Sequence, residues 1–523
     1  MNKYIEKNIT YINNKHLFKY VSYSDSTIKD AMKKLNNTKE LFQVVIDKNK
    51  IVLGTLTDGD IRRAFLSGLS INDKIYKCMN VKPLLGNNDN YENNIIKLNK
   101  VDSEPLFLPV VNKNNEIESI LIKSVMSEIN QALVLVEDVG SPIGKKWKVP
   151  LFKLNYSHKE SVIAQKVINS QWLTIGENTV SLEKQFGKFL GNNSHCIAVS
   201  SCTAALHLSM IACGVKPGDE VIVPSLSFVA QINLIKNMGA KPVLVDCKSL
   251  SDWNMNTEAM TKLINKKTKA IIILHYAGYP CNISKKIKNI CKKKNIYLIE
   301  DVAHAPGAEI NNYKCGTLGD ISCFSFFSNK NISAGEGGLV ATNNSVLEKK
   351  IRYLRSHGMT ALSLDKIKGR AVDYDVVTPG LNYRLNEIAA GLALTQLKKL
   401  KKANKNRGKN VALYQKLLKK TDIEFPFMLV NEKVINAYHI MPILLPKNLN
   451  RRKIMTELQN LGIQTSIHYP SFWSFSAYKN DFKGDNFPIC SEICNRGLTL
   501  PLYPSMTAED VKLVSNSLVG VIE

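Results

Sequence analysis

The sequence predicts an α/β protein. A large, mostly parallel sheet is covered by helices on both faces, a smaller α/β segment follows it, and a separate repeat domain precedes it. Three observations carry this prediction. Apolar strands such as KPVLVD, KAIIILHYAG and NIYLIED alternate with helical patterns between about residues 195 and 345, the rhythm of βαβ units. A Gly-rich turn, Gly335-Glu336-Gly337-Gly338, follows an aromatic strand carrying Lys330, too permissive a backbone to continue that strand. Near the N-terminus, LFQVVIDKNKIVLGTLTDGDI aligns without a gap on LFLPVVNKNNEIESILIKSVM, an internal repeat of strand, polar turn, strand and helix start.

At 523 residues the chain has room for roughly three domains. Its net charge of +25 comes from lysines scattered among asparagines and isoleucines. Without a cluster of basic and aromatic residues on one element, this does not mark a nucleic-acid binder, and the positive field suits a phosphorylated small substrate. Eleven cysteines without a CxxC pair argue against a disulfide framework and a zinc site, and fit a reducing cytoplasm; no metal is expected. No apolar run approaches the roughly 20 residues that span a bilayer, and MNKYIEKNITYINNKH lacks a signal-peptide core. The expected protein is cytoplasmic, with no membrane or nucleic-acid partner.

In chain order, residues 1–127 hold the tandem repeat. GTLTDGDIRRA resembles the nucleotide-binding turn of the cystathionine-β-synthase (CBS) domain, and that resemblance places Thr57 at a phosphate and Asp60 at a ribose. The chemistry agrees: a hydroxyl beside helix N-terminal amides receives an anion, and a carboxylate accepts from ribose hydroxyls. The matching positions of the second copy, Ile122 and Val125, do neither. A purely structural or oligomerisation role for the pair stands equally open. Residues 128–150, ending in GSPIGKKWKVP, read as a linker.

From Leu151, helical spacing of Val162, Ile163 and Val167, and of Leu182, Phe186 and Phe189, predicts two helices. Between them, Trp172 and Thr174 in QWLTIGEN sit on a loop that can face a ligand, although Trp172 serves packing equally well. The strand HCIAVS runs into SSCTAALHL, a strand-turn-helix that offers the Thr203 and Ala204 amides to an anion. Phe228 opens a further helix. Asp301 closes the strand NIYLIED with His304 just beyond, and Lys330 follows the strand FSFFS. Ligands of parallel sheets gather at the carboxyl ends of strands, so these groups share one crevice. A lysine for an aldehyde, a carboxylate for a pyridine nitrogen, a phosphate turn and an aromatic ring are what pyridoxal phosphate requires.

VSSCTAALHL, EVIVPSLSF, IEDVAHAPGA, FSFFSNKNISAGEGG, RSHG, GLNYRLNEIAAGLALTQL and LPLYP, in this order, resemble the sugar-nucleotide aminotransferases of the DegT type, fold-type I enzymes that use pyridoxal 5'-phosphate. The resemblance runs from about Leu151 to the C-terminus. It implies a large cofactor domain over 151–397 and a small domain over 398–523. It implies that Lys330 bonds the cofactor aldehyde, that Asp301 pairs with the ring nitrogen, that His304 lies beside the ring and that Phe228 stacks on it. Thr203, Ala204 and Ser325 would hold the phosphate. Asn382 would reach the phosphate of a neighbouring subunit, making the protein a homodimer or higher homo-oligomer. His468 and Tyr469, in GIQTSIHYP, would lie near the substrate mouth, with packing as the alternative.

Two departures stand out. Cys202 replaces a usual Gly and is expected to crowd the phosphate, and ISAGEGG replaces a more usual Thr-Thr before the Gly. The implied activity is transfer of an amino group, with glutamate as donor, to a nucleotide-linked keto sugar of the 4-keto-6-deoxyhexose class, for a surface glycan or polysaccharide. Carbon 3 and carbon 4 remain open as the site of amination. Two rivals are weighed. A dehydratase of the same fold carries histidine where this chain has Lys330. A non-catalytic nucleotide sensor is favoured by the CBS-like front end and opposed by the set Lys330, Asp301 and Asn382.

Overall fold

The computed structural model describes residues 9–12, 16–38, 41–98, 107–123, 147–191, 194–360, 373–428, 433–482 and 486–523. The expected linker lies outside these up to residue 146, and so does Val125. The chain divides into two compact units, residues 1–139 and 140–523.

In the first unit the repeat is geometric as well as sequential. The hairpin Phe42–Ile46 with Val52–Thr57 pairs Val44 with Thr55, and the hairpin Phe107–Val111 with Ile117–Lys123 pairs Pro109 with Ile120 at the equivalent positions. Each has its irregularity at the same step, Val45/Ile46 and Val110/Val111. Each turn has a left-handed residue at the same place, Lys50 at φ 67° and Asn115 at φ 60°. Asp47 Oδ1 accepts from the Asn49 and Ile51 amides, as Asn112 Oδ1 does from Asn114 and Glu116. These Asx turns are why Lys/Asn-rich stretches close both hairpins. The turns also bond reciprocally: the Val52 amide donates to the Asn115 carbonyl and the Ile117 amide to the Lys50 carbonyl, both at 3.0 Å. The repeat is larger than two strands and a helix, because a strand Val21–Tyr23 and a helix Ile28–Thr38 precede the first hairpin.

The second unit is built on a seven-stranded sheet in the order Lys241–Val245, Glu220–Pro224, Thr268–Leu274, Tyr297–Asp301, Ile321–Ser325, Gly338–Thr342, His195–Val199. The first five are parallel, and Gly338–Thr342 runs antiparallel to both its neighbours. Burial on both faces explains the continuous apolar runs; all five residues of Ile321–Ser325 and of Gly338–Thr342 are buried. Since Gly338–Thr342 is reversed, its start lies at the edge where Val199, Asp301 and Ser325 end. Four loops therefore converge there: 200–202, 302–304, 326–330 and 335–337. Gly338 is required by this convergence, because a Cβ there would lie 2.5 Å from Ser201 C and 2.6 Å from Cys202 N.

The helices His158–Asn169 and Glu177–Leu190 form where the apolar spacing placed them. One helix, Glu387–Leu417, begins well before Lys398 and carries both the small residues AAGLA and the lysine-rich run. Its first half buries Ala389, Ala390 and Ala393 against Leu182 and Phe186. Its second half buries Val411 and Tyr414 among Ile443, Leu458, Leu500 and Leu518 of the C-terminal segment. There Met441–Leu444 pairs with Gly497–Leu500, and the helix Ala508–Ile522 starts with a capping box of Thr507 and Asp510. Among the described residues, no helix is long and apolar enough to cross a membrane.

Candidate active site

The converging loops enclose a cavity of about 390 Å³ lined by Ser201, Cys202, Thr203, Phe228, Gln231, Asp301, His304, Ser325, Lys330, Gly337, His468 and Tyr469 among others. The sequence-predicted residues Lys330, Asp301, His304, Ser325, Thr203, Phe228, His468 and Tyr469 thus come to one place from strand ends scattered along the chain.

Lys330 sits in the turn after Ile321–Ser325, its amide donating to the Phe327 carbonyl. Burial pushes its amine down to about 8, against the pull of Asp301 and Cys202 the other way, so near neutral pH a fraction of it is a nucleophile. Nζ lies 3.4 Å from His439 Nε2. Asp301 ends its strand buried. Its Oδ2 accepts from Gln231 Nε2 at 2.8 Å and its Oδ1 from the Ala303 amide at 3.0 Å. Burial lifts the Asp301 carboxyl above its ordinary range, opposed first by the Gln231 hydrogen bond. A cationic partner in the cavity would reverse that shift.

His304 is buried and held by direction. The Ala277 amide donates to its Nδ1 at 3.3 Å, which leaves the ring hydrogen on Nε2, 2.9 Å from Tyr469 Oη. Burial, then the nearby Lys330 charge, hold it well below the usual histidine range, so it is a neutral ring. Phe228 packs at 5.7 Å from the Tyr469 ring and is 58% exposed, leaving a free aromatic face at the cavity.

Several expectations change. The Ala204 amide is not free, because it donates to Ser201 Oγ at 3.0 Å as the helix N-cap bond. Cys202, standing where a Gly is usual, is the first residue of the helix Cys202–Ala212. Its thiol points to Asp301, 4.0 Å from Oδ1. Trp172 and Thr174 do not line the cavity within this chain. Trp172 Nε1 donates to the Ile175 carbonyl at 3.1 Å, a packing role that closes its own loop. Asn382 is exposed and bridges to Ser356, away from this chain's cavity. In the first unit, Thr57 and Asp60 line a separate cavity of about 920 Å³, yet they engage each other. Asp60 Oδ2 accepts from the Thr57 amide and hydroxyl, Thr57 Oγ1 accepts from the Asp60 amide, and Arg63 takes Asp60 Oδ1. The same residue types that suit a nucleotide make a capping box.

Sequence reasoning missed Gln231, His439 and Asn331. Asn331 directly follows Lys330, which was a usable signal. Gln231 and His439 lie in the stretches VAQIN and AYHIM, and no local pattern marks them. Asp246, Cys247 and Cys490 also bring ligand atoms within 4.8 Å of one another. The Asp246 carboxylate there is committed to the amides of Cys247, Ile489 and Cys490.

The residues present fit pyridoxal phosphate. An amine of lowered pKa faces the cavity, a buried carboxylate is braced there, a neutral ring lies beside them, and the first turn of a helix opens onto it. The sequence profile of the DegT/DnrJ/EryC1/StrS aminotransferase family matches residues 156–519, and that of the CBS domain matches residues 18–67. The chain is 36% identical over 366 residues to the uncharacterised protein MJ1066 of Methanocaldococcus jannaschii, covering 68% of this chain and 92% of that one. Among solved structures, the aminotransferase TlmJ from Streptoalloteichus hindustanus superposes with a TM-score of 0.66 at 28% identity, covering 72% of this chain and 98% of that one. Helicobacter pylori PseC, an aminotransferase involved in pseudoaminic acid biosynthesis, gives 0.65 at 28%, covering 72% and 99%. Spr1654 from Streptococcus pneumoniae, in its PLP form, gives 0.65 at 26%, covering 72% and 98%.

Proposed function

The chain belongs to the DegT/DnrJ/EryC1/StrS aminotransferase family, and from that premise we propose that it transfers an amino group from glutamate to a nucleotide-linked keto sugar. The acceptor class is a 4-keto-6-deoxyhexose, and the amino sugar serves a surface glycan or polysaccharide. The observation that carries this reading is the pairing in one cavity of Lys330, with its amine lowered to about 8, and the buried Asp301 carboxylate braced by Gln231.

Pyridoxal 5'-phosphate, when bound, supplies an electron sink for the charge left at the donor's alpha carbon. The chain's own groups do the rest. Lys330 holds the cofactor and, once released, moves a proton as a positioned base, a role that typically contributes about 10²- to 10⁴-fold in rate. Asp301 holds a proton at the ring nitrogen by its charge. The neutral His304 and Phe228 rings shape the ring site, and the helix start at Thr203 with Ser325 receives the phosphate. His468 and Tyr469 border the substrate.

Asn382, exposed on this chain, completes the phosphate site of a second copy, so the working protein is a homodimer or larger. The CBS domain takes a regulatory nucleotide in the cavity lined by Thr57, Asp60 and Arg63. With all eleven cysteines free, the enzyme suits a reducing cytoplasm.

The test is the absorption spectrum of the purified protein with pyridoxal phosphate, before and after glutamate, beside Lys330→Ala. The lysine-bound band appears in the parent, converts to the pyridoxamine form with glutamate, and is absent from the variant. A protein that holds the cofactor but ignores every amino donor is not a transaminase.

A further inference from the structure

What His439 presents to Lys330 is fixed from behind. Its Nδ1 lies 2.9 Å from Asn331 Oδ1. Asn331 cannot be turned over, because its Nδ2 donates to the Ala437 carbonyl and to Asn404 Oδ1, both at 2.8 Å. Asn404 is oriented in turn by its Nδ2 donating to the Pro306 carbonyl at 3.0 Å. A main-chain carbonyl only accepts, so each amide has one orientation and Asn331 Oδ1 must face the histidine. The imidazole therefore carries its hydrogen on Nδ1 and turns a bare lone pair at Nε2 toward Lys330 Nζ, 3.4 Å away.

The ring is also held in place. The His439 amide donates to the Ala277 carbonyl at 2.9 Å. Arg407 Nη1 donates to the His439 carbonyl at 3.2 Å and to the Leu502 carbonyl at 2.9 Å. The ring packs against His304 with centroids 4.5 Å apart. The charged and titratable groups around it are Lys330, His304, Arg407 and His468. Burial first, then the Lys330 charge, keep it neutral, well below the usual histidine range. On its other sides Lys330 is faced by Asp301 and Cys202.

We propose that His439 is the positioning residue for Lys330: the Asn404–Asn331 chain locks its imidazole in the tautomer whose Nε2 accepts a hydrogen from the lysine amine, docking that amine whenever it is not bonded to the cofactor. This rests on the reading of Lys330 as the cofactor lysine. A long flexible side chain released during turnover would otherwise sample the whole cavity. Docked here, it stays beside Asp301 and within reach of its bonding position.

The test uses the full chain without cofactor. Lysines are reductively methylated with ¹³C-formaldehyde, and the Lys330 signal, identified by its loss in Lys330→Arg, is titrated by NMR. Removing an acceptor of a charged donor lowers the lysine pKa by about one unit, so His439→Leu shifts it down from about 8. Asn331→Leu, which frees the other tautomer, shifts it in the same direction. His439→Gln, whose Oε1 still accepts, restores it. An unmoved titration in both leucine variants overturns the docking, and so does an Nε2–H tautomer in the ¹⁵N-histidine spectrum of the unsubstituted protein, which needs no variant to fold. If pyridoxal phosphate fails to bond Lys330 while the titrations shift as expected, the cofactor reading fails and the hydrogen bond stands.

Discussion

Phe42 and Phe107 occupy the same position of the two N-terminal repeats, and their rings stack on each other at 3.8 Å between centroids and 10° between planes. At the other end of the hairpins, the turns of Lys50 and Asn115 exchange main-chain hydrogen bonds. The two copies are therefore related by an approximate two-fold through their own hairpins, and each supplies the other's missing sheet face. Phe42 is fully buried. Phe42→Ala costs the N-terminal unit about 3 to 5 kcal/mol. A two-transition denaturation curve of the full chain shows the first midpoint falling and the second unmoved. A shift of both midpoints together sinks this assignment.

Lys330 titrates near 8 because burial disfavours its ammonium. Its folded pKa lies below its unfolded value, so between about pH 8 and the ordinary lysine range near 10.4 the unfolded chain binds the extra proton. Stability therefore rises with pH across that window and is at its lowest contribution below pH 8. Lys330→Met removes this slope and makes the cofactor-free protein more stable at pH 7. Urea midpoints of both proteins at pH 7 and pH 10 check it, and parallel pH dependences would refute it.

Gln231 Nε2 is the side-chain donor to Asp301 Oδ2, in a place where burial already opposes the charged carboxylate. Gln231→Leu takes away a hydrogen bond to a charged group, about 1.5 to 3 kcal/mol. The Asp301 pKa rises, less of the carboxylate remains to hold a protonated ring nitrogen, and cofactor affinity drops about 10- to 100-fold. Equilibrium titration with pyridoxal phosphate at pH 7.5 measures the loss. Gln231→Glu weakens it differently, by adding a like charge, and its deficit grows as the pH rises.

The strand-end rule made Asp301, His304 and Lys330 legible in the sequence, because each follows an apolar run that a parallel sheet must bury. The rule says nothing of groups delivered by packing from elsewhere. His439 comes from a loop more than a hundred positions after Lys330 and reaches it because the helix Glu387–Leu417 runs through two hydrophobic cores of the second unit, with Asn404 and Arg407 on its inner side. Both lie buried within a lysine-rich run of that helix, whose composition gives no local mark of an inward face. Trp172 was ambiguous because an indole N–H is satisfied as well by a loop carbonyl as by a ligand. Thr57 and Asp60 were ambiguous because a nucleotide turn and a capping box ask for the same oxygen atoms at the same spacing.

That last ambiguity has a measurable consequence. Thr57→Ala removes the N-cap of the helix Asp58–Leu66 and costs the N-terminal unit about 1 kcal/mol whether or not a nucleotide binds. Thr57→Ser keeps the hydroxyl and the cap. If the cavity takes a nucleotide through this turn, Thr57→Ser holds affinity and Thr57→Ala loses it beyond what the lower stability explains, by calorimetry of the full chain with adenine nucleotides. Equal affinity in the two variants leaves Thr57 as a cap alone.

The Glu387 carboxylate shows how a distant residue can set the loop that carries Trp172. Its Oε1 accepts from the Gly176 amide, the Thr179 amide and the Thr179 hydroxyl, and its Oε2 from the Asn178 amide and side chain. Glu387 is 3% exposed, so these donors have no water to turn to when it is removed. Each buried donor left unpaired costs about 1 to 3 kcal/mol, and several are lost together in Glu387→Ala. The expected result is a destabilised second unit whose loop 171–178 becomes the first site of limited proteolysis. Glu387→Gln keeps one acceptor and turns a donor toward the other amides, so it loses less than Ala and more than nothing. A loop as resistant in Glu387→Ala as in the parent would show that Trp172 packing alone holds it.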